Sequence, residues 1–189
     1  ILGSVVPALT GQVLAALRML GSARILTVGP GLKSGIKLRL DNPAQLGAEL
    51  LCGAVAALAE CPGPLAVISA DTAISIMAVN GKQELVGGVI LPGPQLSLSA
   101  LVQKTAQLPQ IDLSAPASSS ILGKNTSACL QNGFVLAERF QAELGPDIRF
   151  YATGNLPRTI REACRTPIEY REYLITDGLY RIWQKNRKG

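Results

Sequence analysis

Apolar positions along this 189-residue chain switch between a helical spacing and strict alternation, and the switches outline its elements. The opening "ILGSVVPALTGQVLAALRMLG" reads as an apolar strand end passing through Pro7 into a helix with Leu14, Leu17 and Leu20 on one face. "RILTVGP" predicts a strand that runs into the glycine-rich turn "GPGLKSG", and "IKLRL" alternates with Ile36, Leu38 and Leu40 facing one way. A helix is expected from "DNPAQLGAELLCGAVAALAE", with Asn42 as N-cap and Pro43 at the first helical position, where its missing N–H costs nothing. Leu46, Leu50, Leu51, Val55 and Leu58 form the stripe it buries, and Glu49 lies beside that stripe.

Cys61-Pro62-Gly63-Pro64 is a hard break. Beyond it the pattern turns to strands: "LAVIS" and "AISIMAVN" flank the polar turn Ser69-Ala70-Asp71-Thr72, and "ELVGGVIL" follows the turn Asn80-Gly81, which makes a hairpin meander. Helical spacing returns over 97 to 107, while "LPQIDLSAPASSS" is too rich in Pro, Ser and Ala for regular structure. A long helix is expected from Thr126 to Glu143, with Leu130, Phe134, Ala137 and Phe140 in register. "DIRFYATG" reads as a strand ending in a glycine turn, "LPRTIREAC" as a short helix, and "EYREYLITDGLYRIWQKN" as a helical end. That order fits an α/β layer fold with a mixed sheet.

Composition narrows the chemistry. Hydrophobic residues make up 48% and charged residues 16%, which suits a well-buried interior and argues against disorder. No apolar run reaches the ~18 residues that span a bilayer, and the first residues lack the basic-then-apolar order of a secretion signal, so a cytoplasmic protein without a membrane partner is expected. The net charge of +5 owes much to the final "RIWQKNRKG", read as a solvated helix end rather than a nucleic-acid surface. Cys52, Cys61, Cys129 and Cys164 contain no C-x-x-C pair, so they read as thiols and not as a zinc site. Histidine is absent. Its absence removes Ser-His and Cys-His nucleophile chemistry and leaves catalysis to carboxylates, backbone amides and bound cations.

Several short segments then carry a family likeness: "SVVP" (4 to 7), "VGPGLKSGIKLRLDNPAQLGAE" (28 to 49), "VGGVILPG" (86 to 93), "TAQLP" (105 to 109), "GKNT" (123 to 126) and "TDGL" (176 to 179). In order and spacing the chain resembles the type III pantothenate kinases over nearly its whole length. The resemblance implies the α/β actin-like ATPase fold, which is ribonuclease H-like, with the end of the first domain in residues 1–44 and a complete second domain, carrying the dimer surface, in 45–189. It implies transfer of the ATP γ-phosphoryl group to the primary hydroxyl of pantothenate, the committing step of coenzyme A synthesis. ATP, Mg2+ and a monovalent cation, K+ or NH4+, come with it as cofactors. So does a dimer, with itself or with a homologue, in which Thr126 completes the pantothenate pocket of the neighbouring subunit. The "GKNT" segment equally reads as a helix start capped by Asn125 or Thr126.

Against the family's pattern several positions differ. The family's Asp-x-Gly-Asn-Thr phosphate turn precedes the point matched by Ile1. Where the family has Gly-Ala-Asp-Arg, general base followed by pantothenate-binding arginine, this chain has Gly47, Ala48, Glu49 and Leu50. The tyrosine bordering the pantothenate pocket corresponds to Leu40. In the Asp-Phe-Gly-Thr-Ala turn, Ser69 stands at the metal-supporting aspartate and Asp71 at the glycine, with Asp71 a candidate to support a cation from a shifted position. Thr72 and Ala73 are kept, and at "ATGN" Gly154 is kept while the next nucleotide-side glycine is Asn155. A side chain where bare backbone meets phosphate weakens that turn. The expectation is therefore a kinase of this family that is weak or inactive as this chain alone, with a non-catalytic subunit or a regulatory accessory protein of the same fold as the alternative.

Overall fold

A computed structural model describes residues 1–21, 24–29, 31–113, 124–132, 148–156, 158–163 and 167–187. Its centre is a mixed sheet in the order β1-β4-β3-β2-β5-β6. The strands are β1 (Lys37–Leu38), β2 (Leu65–Ala70), β3 (Ala73–Val79), β4 (Glu84–Pro92), β5 (Arg149–Gly154) and β6 (Ile168–Tyr170). β2, β3 and β4 form the expected antiparallel meander, and β5 lies parallel to β2 on its other side, with Leu65 level with Arg149 and Ala70 with Gly154. β6 extends the sheet parallel to β5. The helices are α1 (Pro7–Met19), α2 (Ala48–Glu60), α3 (Pro94–Lys104), α4 (Thr126–Asn132), α5 (Arg158–Ala163) and α6 (Leu174–Asn186).

Alternation along the strands divides the core. Leu65, Val67, Met77, Val79, Leu85 and Tyr151 face α2 and α6, whose Leu51, Cys52, Val55, Leu174 and Ile182 complete that layer. Ala66, Ile68, Ile74, Ile76, Phe150 and Ala152 form the opposite face. α2 and α6 cross at Gly178, where a Cβ would run into the Cys52 carbonyl oxygen, so glycine is what allows the two backbones to touch. Burial pushes the Cys52 thiol up to about 12, and Cys52 and Cys61 are free thiols, as the sequence suggests.

Several expectations are corrected. Asn42 does cap a helical turn, accepting the Ala44 N–H at 3.2 Å, but that turn is a 3-10 helix over Pro43–Gln45. It ends where Leu46 turns extended, and α2 starts afresh at Ala48 with Gly47 as N-cap. Among its described residues "RILTVGP" makes one bridge, Thr27 with Leu2, rather than a strand. Ser69 and Ala70 belong to β2, which leaves Asp71-Thr72 alone as the hairpin tip. The β3–β4 turn spans 80 to 83, and Gln83, not Gly81, takes positive φ (59°). Residues 168–170 are strand, not part of the last helix, because Ile168 and Tyr170 pair with Phe150 and Ala152. α3 starts at Pro94, earlier than its leucine spacing implies. α1 forms, yet it has no buried residue. The stretch of the long helix beyond Asn132, the loop from 114 on, Cys164 and Lys188 lie outside the described residues.

Candidate functional site

From β2 the chain steps to β3 and β4 on one side of the sheet, whereas β5 and β6 lie on the other. Winding thus reverses between the parallel neighbours β2 and β5. In open α/β sheets the crevice beyond the carboxyl ends of strands at such a switch point is where ligands sit. Here it is bounded by Asp71-Thr72 after β2 and Gly154-Asn155 after β5.

Backbone close approach builds both lips. Gly154 has φ 81°, and a Cβ on it would run into the Ala70 carbonyl oxygen. The Asn155 N–H donates to that same oxygen, continuing the β2–β5 ladder one step past the strands. Across the mouth the Asn155 side-chain amide donates to Asp71 Oδ1 at 2.9 Å. The tip is closed by the Asp71 N–H donating to the Ala73 carbonyl at 3.0 Å, and by the Gly93 N–H, just ahead of α3, donating to the Thr72 carbonyl at 2.8 Å. Beside it opens a cleft of about 560 Å³ lined by Asp71, Thr72, Gln95, Ser99, Asp112 and Asn155 among others.

Glu49 reaches the same end of the sheet from α2. The short link 61–64 makes α2 run back antiparallel to β2, and a Cβ at Gly53 would lie 3.0 Å from Val67 Cγ1. From Gly53 back to Glu49 the helix climbs about 6 Å, and from Val67 on to Ser69 the strand advances about 6.6 Å. Glu49 therefore stands level with Ser69, half-buried in the first turn of α2. Gly47, its N-cap, lines a second cleft of about 760 Å³ with Ser4, Thr10, Gly31, Pro43 and Gln45.

The expected site residues thus fall into groups. Ser69, Asp71, Thr72, Ala73 and Gly154 gather at the ends of β2, β3 and β5; Ser69 is only 8% exposed, whereas Asp71, Thr72 and Ala73 are exposed. Gly47 and Glu49 stand at the start of α2. Leu50 is buried in the core and Leu40 packs against it, so neither presents a polar group. Thr126 is the exposed first residue of α4; Asn125 is the cap, its Oδ1 accepting the Ala128 N–H at 2.8 Å. Among the described residues no cluster of three or more His, Cys, Asp or Glu side chains is placed to hold a metal. Sequence reasoning flagged Asp71 and Asn155 separately without pairing them, and it missed Tyr170, whose hydroxyl donates to the Gly154 carbonyl at 2.9 Å. The alternation of Ile168 and Tyr170 was the available signal.

Comparison with known proteins agrees with this architecture. The family model described as type III pantothenate kinase matches residues 1–143. The chain is 33% identical to a type III pantothenate kinase of Exiguobacterium sp., over all of this chain and 76% of the relative. It is 36% identical to one of Dehalococcoides mccartyi, covering 99% of this chain and 74% of the relative. Among solved structures, a Campylobacter jejuni chain described as a Baf family transcriptional activator superposes with TM-score 0.70 over 98% of this chain and 81% of its own, at 16% identity, a likeness of fold alone. The mixed sheet with its helices is consistent with the actin-like ATPase fold, and this chain belongs to the type III pantothenate kinase family.

Proposed function

We propose that this chain transfers the γ-phosphoryl group of ATP to the primary hydroxyl of pantothenate, at the crevice beyond β2 and β5. The relatives' shared name favours that reading over a non-catalytic or accessory role. What supports it is that α2 begins at the end of the sheet that carries the Asp71-Thr72 tip and the Gly154 turn, with Glu49 in its first turn level with Ser69.

In this reading Glu49 accepts the hydroxyl proton as the oxygen attacks phosphorus, and the bond to the departing ADP oxygen breaks. Thr72, Ala73 and Gly154 approach the nucleotide phosphates. Asp71, with Ser69 next to it along the chain, would be the carboxylate to hold Mg2+, which in phosphate-binding sites asks for only one or two protein carboxylates. Bound there, the ion neutralises charge on the transferred group. Gly47 borders the pantothenate side, and Leu40 and Leu50 give that side an apolar backing where the family uses polar groups. Residues 1–44 belong to the first actin-like domain and 45–189 to the second, and the protein works in the cytoplasm as a dimer in which Thr126 serves the neighbouring pocket.

Glutamate carries its carboxylate about 1.5 Å farther than aspartate, and misplacing a reacting group by about 1 Å costs on the order of 100-fold. Pantothenate-dependent turnover in a coupled ATP-consumption assay with Mg2+ and K+ is therefore expected far below the ~1–100 s⁻¹ usual for kinases. Glu49→Gln should abolish what remains, and Glu49→Asp should raise it. ATP consumption that ignores pantothenate, or that survives Glu49→Gln unchanged, would refute the assignment.

A further inference from the structure

We propose that Tyr170 is the positioning residue of the nucleotide-side turn: its hydroxyl fixes the Gly154–Asn155 peptide so that the carbonyl faces β6 and away from the crevice. This rests on the reading of Gly154 as a nucleotide neighbour.

The peptide unit between Gly154 and Asn155 is gripped at both ends. Its N–H, from Asn155, donates to the Ala70 carbonyl. Its C=O, from Gly154, accepts from Tyr170 Oη at 2.9 Å. Gly154 sits at φ 81°, where glycine passes between backbone wells without the Cβ penalty that would confine other residues. Because the peptide is planar, rotating it about its flanking bonds breaks both of these hydrogen bonds at once, and the Tyr170 hydroxyl adds its share to that resistance. Rotated, it would aim its carbonyl oxygen at the crevice between β2 and β5, where anionic phosphates would meet a negative dipole end. Held, it keeps that oxygen turned into the protein. The Asn155 to Asp71 contact restrains only the side chain; the peptide itself is held by the Ala70 carbonyl on one edge and the Tyr170 hydroxyl on the other.

The ring is itself braced. Ala152 and Tyr170 are cross-strand partners, so β6 fixes the height of Tyr170 beside β5. The Arg161 guanidinium on α5 lies 4.2 Å from the ring centroid, and a cation over the ring face sets its plane and so the reach of the hydroxyl. Arg161 Nε is buried without a hydrogen-bond partner among the described residues. On the far side the Arg171 N–H donates to the Ala152 carbonyl at 2.9 Å, and Thr153 Oγ1 to the Glu172 carbonyl at 3.3 Å, which tie the β6 exit to β5 whether or not the tyrosine hydroxyl is present. Tyr170→Phe therefore removes one hydroxyl and leaves the ring, its stacking and the β5–β6 pairing in place.

The experiment is calorimetric titration of the unmodified chain, Tyr170→Phe and Arg161→Leu with MgATP and, separately, with pantothenate, alongside thermal unfolding. The expected result is MgATP affinity about 2- to 10-fold weaker in Tyr170→Phe, a smaller loss in Arg161→Leu, and no change toward pantothenate. Undiminished MgATP affinity in Tyr170→Phe overturns this inference alone. Equal losses toward both ligands with a lowered unfolding midpoint also overturn it, because they mark a merely structural tyrosine. Absence of MgATP binding by the unmodified chain removes the nucleotide reading of the turn, and this inference with it.

Discussion

Single side chains at the two ends of the sheet do different work. At the crevice Asp71 and Asn155 close on each other; at the opposite side Glu84 gathers three partners. Asn80 Nδ2 donates to Glu84 Oε2 at 3.2 Å, while Arg39 Nε and Lys37 Nζ lie 3.0 and 3.3 Å from Oε1. The amide hydrogen bond from Asn80, helped by those from Arg39 and Lys37, holds the Glu84 carboxyl below its ordinary 4.5 in spite of desolvation, which opposes it more than either of those two bonds favours it. A depressed folded-state value stabilises the fold above the unfolded value, and that contribution fades as pH falls through the lower folded one. Glu84→Gln should thus lower the unfolding midpoint at pH 7, and its gap from the unmodified chain should close as pH drops below about 4.5. A gap that is constant from pH 7 to 3 would show that the charge contributes nothing. None of these partnerships was legible beforehand. Asp71 and Asn155 are 84 residues apart, and neither residue type says which way its neighbour turns.

Elements with strong periodicity were legible, and those that depend on a neighbour were not. α2, the β2–β4 meander and β5 follow from alternation or helical spacing sustained over several residues. β6 is three residues long, too short for a period to declare itself, and its strand character comes from pairing with β5. The start of α2 was misplaced for a related reason: Asn42-Pro43 is a genuine helix-start signal, but it serves a 3-10 turn that Leu46 ends. The crossing of α2 and α6 depends on Gly178, which reads from sequence only as a weak point in a helix. In an open helix interior Gly→Ala gains about 1 kcal/mol. Here the added methyl meets the Cys52 backbone carbonyl, and forcing the helices apart costs about 1–3 kcal/mol. Gly178→Ala is accordingly expected to lower stability in chemical denaturation, with the midpoint moving down at unchanged slope. A neutral or stabilising result would mean that the helices separate freely at this crossing.

At the scale of the whole molecule the fold class and family were readable because short motifs kept their order along the entire chain, whereas the surfaces were not, since exposure depends on what lies opposite. α1 has an apolar sequence and, with the residues just before it, leaves Val5, Val6, Leu9 and Met19 exposed, Met19 at 88%. β4 is a second open surface. Its outer edge pairs with β1 only at Glu84 and Leu85, so among the described residues the edge from Val86 to Pro92 meets no strand, and Ile90 on it is 73% exposed. An apolar strand edge with free backbone groups is a template for pairing with another chain. The molecule is therefore expected to dimerise, with itself or with a homologue, and a closed twofold arrangement would cover the same surface on both copies. Sedimentation at micromolar concentration, alone and with a full-length homologue added, measures this, and Ile90→Asp should shift the distribution toward monomer if the β4 edge is the contact. Dimers that persist unchanged in Ile90→Asp would move the interface to another surface. A chain that stays monomeric in both mixtures would remove the partner-completed pocket, and with it the reason to place Thr126 in the chemistry.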